Sequence, residues 1–268
     1  MIKLPKEGEK NMINIEKAKQ EFKNFTKNYD ITNDRVKVKI DHTYKVSKNS
    51  KEIAKSLNLS EEEIKLAELI GLLHDIGRFE QIKNYNTYLD KKSIDHATKA
   101  LSILFTEGKI RNYIEENKYD NIIYKAIENH NKIKINDNLT KKEQLFCKII
   151  RDADKLDIYR IVTTKKIENA VSIKTEDISK EILSDKIYNN FLKEEPILYQ
   201  DIKTNIDNMV IWIAYIYDIN FKETFNKIKQ ENYIEKIVKR VNFKDQKTKE
   251  RMEEIKEKAN KYINQKTK

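Results

Sequence analysis

The sequence predicts an all-α protein, and three observations lead to that prediction. Among the 268 residues are only four glycines and two prolines, the residues that most often interrupt helices. Long stretches are rich in Lys, Glu, Ile and Leu, a composition that favours helices. Apolar residues also recur at helical spacing, as Val38, Val46, Ile53 and Leu57 do. The hydrophobic fraction of 38% is low, but a chain of this length still buries a sizeable core.

Helix boundaries are recognisable in the N-terminal half of the chain. Asp34 is expected to begin a helix that continues to Leu57. The stretch 60–63, Ser-Glu-Glu-Glu, has the spacing of a capping box and should begin the helix that carries AELIGLL. Gly77 is the expected end of that helix. The segment 78–92 has weak periodicity, so it is predicted to be a loop at the mouth of a site.

The rest of the chain is also predicted to be helical. Two helices are expected near 93–106 and 119–130. A second capping box, Thr-Lys-Lys-Glu at 140–143, should begin a helix through QLFCKIIRDADKLDIY. Beyond about residue 165 the helical pattern continues around Trp212 and in the charged stretch 249–263.

The predicted organisation is one helical unit in three parts. Residues 30–165 form a helical core that contains every histidine. Residues 166–268 are a C-terminal helical extension packed on this core, and residues 1–29 form an N-terminal helix of the same unit. No internal repeat or low-complexity linker divides the chain.

Composition also bears on partners and location. Lysine supplies 47 of the 54 basic residues behind the net charge of +10, which gives a diffuse field attractive to polyanions. The expected partner is therefore a small phosphorylated molecule, and a nucleotide is favoured over a nucleic acid. Homo-oligomerisation is left open. No apolar run is long enough to span a membrane, and the N-terminus lacks the apolar stretch of a signal peptide. With Cys147 as the one cysteine, these features predict a cytoplasmic protein without a membrane partner.

The glycines exclude two kinds of nucleotide site. No three of them have the G-x-G-x-x-G spacing of dinucleotide-binding folds, and no pair fits G-x-x-x-x-G-K-[ST]; they lie at Gly8, Gly71, Gly77 and Gly108. A phosphate site in this protein must therefore be built from other groups.

Histidines and aspartates form the strongest candidate for a chemical site. Each of the four histidines adjoins an Asp or Asn and lies on or at the end of a different predicted helix: His42, His74, His96 and His130. A fifth helix adds Asp152, Asp154 and Asp157, of which only one or two can face a common centre. Helical proteins build dinuclear metal centres from such side chains. One or two divalent ions are expected, from Fe, Mn, Co, Ni or Zn, with Mg left open.

A metal would also account for the apolar helix that ends at His74-Asp75. A single histidine on a helix is more often structural than a ligand, and LIGLL alone is ordinary core. A bare carboxylate buried beside Leu and Ile, however, costs several kcal/mol, and a dication removes that cost for Asp75. The apolar helix is therefore interpreted as a rigid mount for ligands.

The order of these residues resembles the HD superfamily of metal-dependent phosphohydrolases over roughly residues 35–165. The motifs that carry the resemblance are DHTYKVSKNSKEIAKSL, ELIGLLHDIGRF, SIDHATKALSIL, AIENHNK and KIIRDADKLDIYR. The resemblance implies an HD-domain helical bundle, here followed by the C-terminal helical extension, with a dinuclear metal centre.

The resemblance also implies roles for individual residues. One metal would be held by His42, His74, Asp75 and Asp154, and a second by His96, His130 and a bridging Asp75. A hydroxide between the ions would be the nucleophile. The implied catalytic residues are Asp75 and Arg78, and the implied substrate-binding residues are Arg78 and Lys155. Asp95 is expected to orient His96.

The implied function is hydrolysis of a phosphoester or phosphoanhydride bond of a nucleotide or dinucleotide. No Gly-Tyr-Pro element follows His130, which disfavours the cyclic-di-GMP phosphodiesterase branch. One alternative is a non-catalytic protein that senses a nucleotide or metal, and another is a helical nucleic-acid-binding protein. All six implied ligand positions are filled, which favours the enzyme.

Overall fold

A computed structural model describes residues 13–165 and 177–268. Its regular elements are helical, and no strand occurs in these two ranges, so the all-α prediction is confirmed. The helices of the first range are α1 Ile15–Thr26, α2 Asp34–Ser56, α3 Glu61–Leu73, α4 Gly77–Tyr85, α5 His96–Leu101, α6 Ile110–Tyr113, α7 Asp120–Asn129 and α8 Lys141–Thr164. The second range contains helices Asp185–Leu192, Asn205–Ala214, Lys222–Gln230, Tyr233–Val238 and Gln246–Thr267.

Short elements join these helices. A π-helical turn, Ser102–Thr106, continues α5, and four 3-10 helices connect longer elements at Asp90–Lys92, Ile178–Lys180, Tyr199–Asp201 and Tyr215–Asp218.

Both predicted capping boxes are present. The side chains of Ser60 and Thr140 accept hydrogen bonds from the backbone N–H groups of Glu63 and Glu143, and the glutamates accept bonds from the cap residues in return. These reciprocal bonds satisfy donors that helix ends otherwise leave free. They begin α3, which ends just before His74 and Asp75, and α8, which contains Asp154.

The prediction for segment 78–92 is wrong in its first half. Gly77 begins α4 and does not end α3, which stops at Leu73. The buried face of α4 is only two turns long and carries Phe79 and Ile82, too short a pattern to be recognised as periodic. Residues 86–92 are irregular apart from a 3-10 turn, and the helix predicted near 93–106 begins at His96.

Gly77 is required where α4 crosses α5. A Cβ atom at this position would lie 2.2 Å from the carbonyl oxygen of His96 and 2.6 Å from the backbone nitrogen of Ala100. Both are backbone atoms that cannot rotate away, so only glycine permits this approach. The contact sets the position of the helix whose first residue is His96.

The buried apolar residues form two clusters that meet on α8. One cluster extends from Ile13 to Ala153 and the other from Leu156 to Ile263, so α8 contributes to both. Cys147 is completely buried, and this burial raises the pKa of its thiol to about 12. In the described ranges no helix has the length and hydropathy needed to cross a lipid bilayer.

The three-part division of the chain stays a prediction. Its boundary at 165 and 166 adjoins residues 166–176, which lie outside the described residues, as do residues 1–12 of the predicted N-terminal helix. Within the described residues, the helices Lys222–Gln230 and Tyr233–Val238 and the 3-10 turn Tyr215–Asp218 contact α8.

We expect Gly77→Ala to destabilise the protein by about 2–3 kcal/mol, because the added methyl group must push α4 away from α5. Urea unfolding followed by circular dichroism measures the loss. Gly108→Ala is the control, since no atom lies within 4 Å of its added Cβ and only its φ of +72° is unfavourable, at a cost of about 1 kcal/mol. Equal losses in the two variants would contradict the close-packing argument.

Candidate metal centre

The structure brings the six predicted ligands together from five helices. They are His42 in α2, His74 and Asp75 directly after α3, His96 at the first position of α5, His130 directly after α7, and Asp154 in α8. All are buried except Asp154, whose side chain is 17% exposed. The site therefore lies inside the bundle and opens to solvent near Asp154.

Asp75 lies between two pairs of imidazoles. Its Oδ2 is 3.5 Å from Nε2 of His42 and 3.6 Å from Nε2 of His74. Its Oδ1 is 3.5 Å from Nε2 of His96 and 3.8 Å from Nε2 of His130. Each carboxylate oxygen thus faces a different pair, which is the arrangement a bridging ligand needs.

Of the three aspartates on α8, only Asp154 reaches the centre. Its Oδ1 is 3.1 Å from Nε2 of His42 and 3.8 Å from Nε2 of His74, so it completes the first pair. Asp152 points away and accepts hydrogen bonds from the backbone N–H groups of Asn220 and Phe221. Asp157 lies behind His42 and bonds its Nδ1 at 2.8 Å.

Every histidine of the centre has its Nδ1 against an oxygen acceptor. The partner is Asp157 Oδ2 for His42 at 2.8 Å, the Gly71 carbonyl for His74 at 2.8 Å, Asp90 Oδ2 for His96 at 2.7 Å and the Ile127 carbonyl for His130 at 2.7 Å. Because carbonyl and carboxylate oxygens accept, the proton belongs on Nδ1 in each ring. The Nε2 lone pairs are therefore directed into the centre.

This convergence of acceptors fits a cation. Nε2 of His96 and Nε2 of His130 are 3.0 Å apart, although both Nδ1 atoms already face acceptors. Nε2 of His42 and Nε2 of His74 are buried without a hydrogen-bond partner. Donors about 2.0–2.2 Å from one ion lie about 3 Å apart when adjacent, so the spacing suits a transition metal.

Two groups of donor atoms meet the geometric requirement for an ion. The first trio is His42, His74 and Asp75, and the second trio is Asp75, His96 and His130; within each trio the donor atoms lie within 4.8 Å of one another. Asp75 belongs to both trios. The described part of the chain can therefore hold one ion or two, although the identity of the ligands stays a prediction.

Charges around the centre keep Asp75 ionised. Burial acts against ionisation, but the interactions that favour it, of which the charge of Lys39 is the largest, outweigh burial and hold the pKa of Asp75 well below its usual range. Nζ of Lys39 is 2.7 Å from Oδ2, and Nε of Arg78 is 3.6 Å from Oδ1. Each oxygen of Asp75 thus faces one imidazole pair and one cationic side chain.

The imidazoles are affected differently by the same burial. Burial lowers the pKa of His74. Burial and the charge of Arg78 together lower the pKa of His96 to about 4. Both rings are therefore neutral ligands near neutral pH. For His42, burial and the charge of Lys39 act against protonation, but the adjacent carboxylates of Asp154 and Asp157 outweigh them and raise its pKa.

The two predicted substrate-binding residues lie near the centre but are engaged in other contacts. Nη1 of Arg78 donates to the side chain of Gln81, the carbonyl of Tyr88 and Oδ1 of Asp90. Nζ of Lys155 is 2.6 Å from Asp218 Oδ2. Substrate binding by Arg78 and Lys155, and the catalytic role assigned to Arg78, stay predictions.

The expectation for Asp95 is wrong, and Asp90 takes its place. Asp95 caps α5 by accepting from the backbone N–H of Thr98, while Asp90 bonds Nδ1 of His96. A capping residue must turn towards the helix backbone, so it does not reach the ring of the next residue. Asp90 begins a three-residue 3-10 turn in a segment with no periodic signal, and only the structure identifies it.

Lys39 is the second residue that the sequence analysis missed. It lies one turn before His42 on α2, where residues three apart share a helix face. The spacing of Lys39 and His42 indicates that they share a helix face, but in a chain with 47 lysines such a spacing does not single out one of them.

The comparisons with known proteins give one match. Residues 40–159 match the family model described as HD domain, and this range contains every residue of both trios. No curated protein and no solved structure matches the chain.

We expect Mn²⁺ to raise the melting temperature of chelator-treated protein. At a free concentration of about 100 times Kd, binding adds about 3 kcal/mol, or roughly 5–10 °C for a chain of this size. Asp75→Asn should lose most of this shift, because one charged oxygen in each trio is lost. Differential scanning calorimetry with and without the ion measures it, and an undiminished shift in Asp75→Asn would contradict the assignment.

Proposed function

Since residues 40–159 belong to the HD-domain family, we propose that this protein is a divalent-metal-dependent phosphohydrolase. The observation that carries the proposal is the position of Asp75, with one oxygen towards each imidazole pair. HD domains bind divalent metals, and both trios have the donor chemistry for them. His42, His74, Asp75 and Asp154 would hold one ion, and Asp75, His96 and His130 a second.

Ions bound there would supply an activated water and positive charge against the phosphoryl oxygens. The chain contributes the rest of the site. The Nδ1 hydrogen bonds hold the four imidazoles in orientation, and the buried position of the trios excludes bulk water. The partly exposed groups at the centre are Lys39, Arg78 and Asp154, with side chains 14%, 15% and 17% exposed. We place the approach of the substrate phosphate on this side.

Lys39 is the strongest candidate for a phosphate contact from the chain itself. Its ammonium group donates to Oδ2 of Asp75 and to no second acceptor within the described ranges. A cation that occupied the first trio would share Oδ2 and weaken this pair by repulsion. Lys39 would then be available for an incoming anion.

A nucleotide or dinucleotide is the proposed substrate. Two aromatic rings flank the centre, each beneath a lysine: Nζ of Lys39 is 5.4 Å from the ring centroid of Tyr88, and Nζ of Lys155 is 5.7 Å from that of Tyr215. Adjacent aromatic faces and ammonium groups suit the base and the phosphates of a nucleotide. The net charge of +10 favours the same anionic class.

We expect chelator-treated protein to regain hydrolysis of nucleotides or dinucleotides when Mn²⁺, Fe²⁺ or Co²⁺ is added. Asp75→Asn should lower kcat by about a thousandfold or more, since several kcal/mol of transition-state stabilisation are lost. Asp137→Asn, a 78% exposed carboxylate paired with Lys134, is the control. Phosphate release and nucleotide chromatography measure the rates. Metal and nucleotide binding without product over hours would favour the non-catalytic sensing role.

We expect Lys39→Gln to raise KM for the substrate by about tenfold or more, because a charged hydrogen bond contributes about 1.5–3 kcal/mol. Its affinity for Mn²⁺ should not fall, since Lys39 competes with cations for Asp75. Lys37→Gln is the control, because Lys37 is exposed and pairs with Asp34 on the same helix. Steady-state kinetics and calorimetric Mn²⁺ titration give the two values. A parallel loss of metal affinity would show a structural role.

A further inference from the structure

Two kinds of group face the Nδ1 atoms of the four histidines, namely backbone carbonyls and side-chain carboxylates. Each trio contains one histidine of each kind. His74 and His130 bond backbone carbonyls three residues earlier, at the ends of α3 and α7. His42 and His96 bond the carboxylates of Asp157 and Asp90. Each trio therefore contains one imidazole held by a helix backbone and one held by a charged side chain.

Asp157 is itself held by Arg160, one turn further along α8. Nε of Arg160 donates to Oδ1 at 2.6 Å and Nη2 to Oδ2 at 3.0 Å. The same guanidinium donates to Asp41 at 2.8 Å, so it links α8 to the residue that precedes His42. The carboxylate of Asp157 is thus fixed on both oxygens and is almost fully buried.

Asp90 is held in an equivalent way by α4. Its Oδ1 accepts from Nη1 of Arg78 at 2.7 Å and from Nε2 of Gln81 at 2.9 Å, while Oδ2 faces Nδ1 of His96. Arg78 therefore reaches the second trio twice, through Asp90 and through its approach to Asp75. These contacts give Arg78 a positioning role in addition to the catalytic and substrate-binding roles that the resemblance implies.

We propose that Asp157 and Asp90 each set the metal affinity of one position, Asp157 through His42 in the first trio and Asp90 through His96 in the second. This inference rests on the proposed metal centre but not on the reaction or its substrate. A carboxylate behind an imidazole fixes the ring, holds its proton on Nδ1 and increases the basicity of Nε2. A backbone carbonyl fixes the ring without the added negative charge. The two positions are therefore supported by separate side chains and can be weakened separately.

The test uses isosteric Asp→Asn changes with controls matched by position. An asparagine has one acceptor oxygen where Asp157 and Asp90 use two, so Asp157→Asn and Asp90→Asn must each leave an N–H group facing another N–H group. Asp41→Asn and Asp95→Asn are the controls. These residues precede His42 and His96 in sequence. Asp41 accepts from Arg160 through one oxygen, which asparagine retains. Asp95 accepts from the α5 backbone, which asparagine also caps well, and from the exposed side-chain amide of Asn131, which can rotate to offer its own oxygen.

Metal content and affinity are measured by elemental analysis and calorimetric titration with Mn²⁺, and the melting temperature without metal shows whether each variant folds. We expect wild type and both controls to bind two ions with similar affinities. Asp157→Asn and Asp90→Asn should each weaken one binding event by about ten- to a hundredfold and leave the other within about twofold. The electron paramagnetic resonance spectrum should change from that of coupled Mn²⁺ to that of isolated Mn²⁺ at limiting metal.

A double-mutant cycle identifies which position each carboxylate serves. Adding Asp90→Asn to His96→Ala should have little further effect on metal binding, whereas adding it to His42→Ala should remove most of the remaining affinity. The reverse pattern is expected for Asp157→Asn. Equal weakening of both positions by one variant, additive effects of Asp90 and His96, or losses as large in the two controls would overturn the inference. A wild type that binds no metal would instead overturn the proposed function.

Discussion

The structure depends on one electrostatic constraint, the convergence of acceptor atoms at a buried point. With the Nδ1 atoms facing oxygens, the Nε2 atoms of four imidazoles and the oxygens of two aspartates are directed at one another. Such a set repels itself unless positive charge lies within it. In the described residues Lys39 and Arg78 supply part of that charge at the edge, and divalent ions are the groups best suited to its interior.

The helices hold the converging side chains in fixed positions. From Ile64 to Leu73 every residue of α3 except Lys65 is buried, and His74 and Asp75 follow immediately after the last turn of the helix. α7 delivers His130 in the same way, and in both cases a carbonyl of the preceding turn holds Nδ1. Helix ends leave such carbonyls without intrahelical partners, so the same backbone feature orients two ligands in different places.

The C-terminal range contributes by holding α8 on both sides of Asp154. Asp218 pairs with Arg151 and Lys155, and the backbone of Asn220 donates to Asp152. These contacts fix the rotation of α8 about its axis, and that rotation decides which of its aspartates faces the imidazoles. A segment without any histidine of its own thereby participates in building the centre.

The sequence by itself determined the helical class, both capping boxes, and the order of histidines and aspartates that resembles the HD family. Those features are local or are carried by residue type, so they can be read without coordinates. Only the tertiary structure decided that Asp90 and not Asp95 supports His96, that Lys39 lies on Asp75, and that Gly77 begins a helix. Lys39 and Asp75 are 36 residues apart, one on α2 and the other directly after α3, so their contact leaves no trace in the sequence. Asp90 reaches His96 from a segment without periodicity, and α4 is too short for its apolar pattern to be recognised.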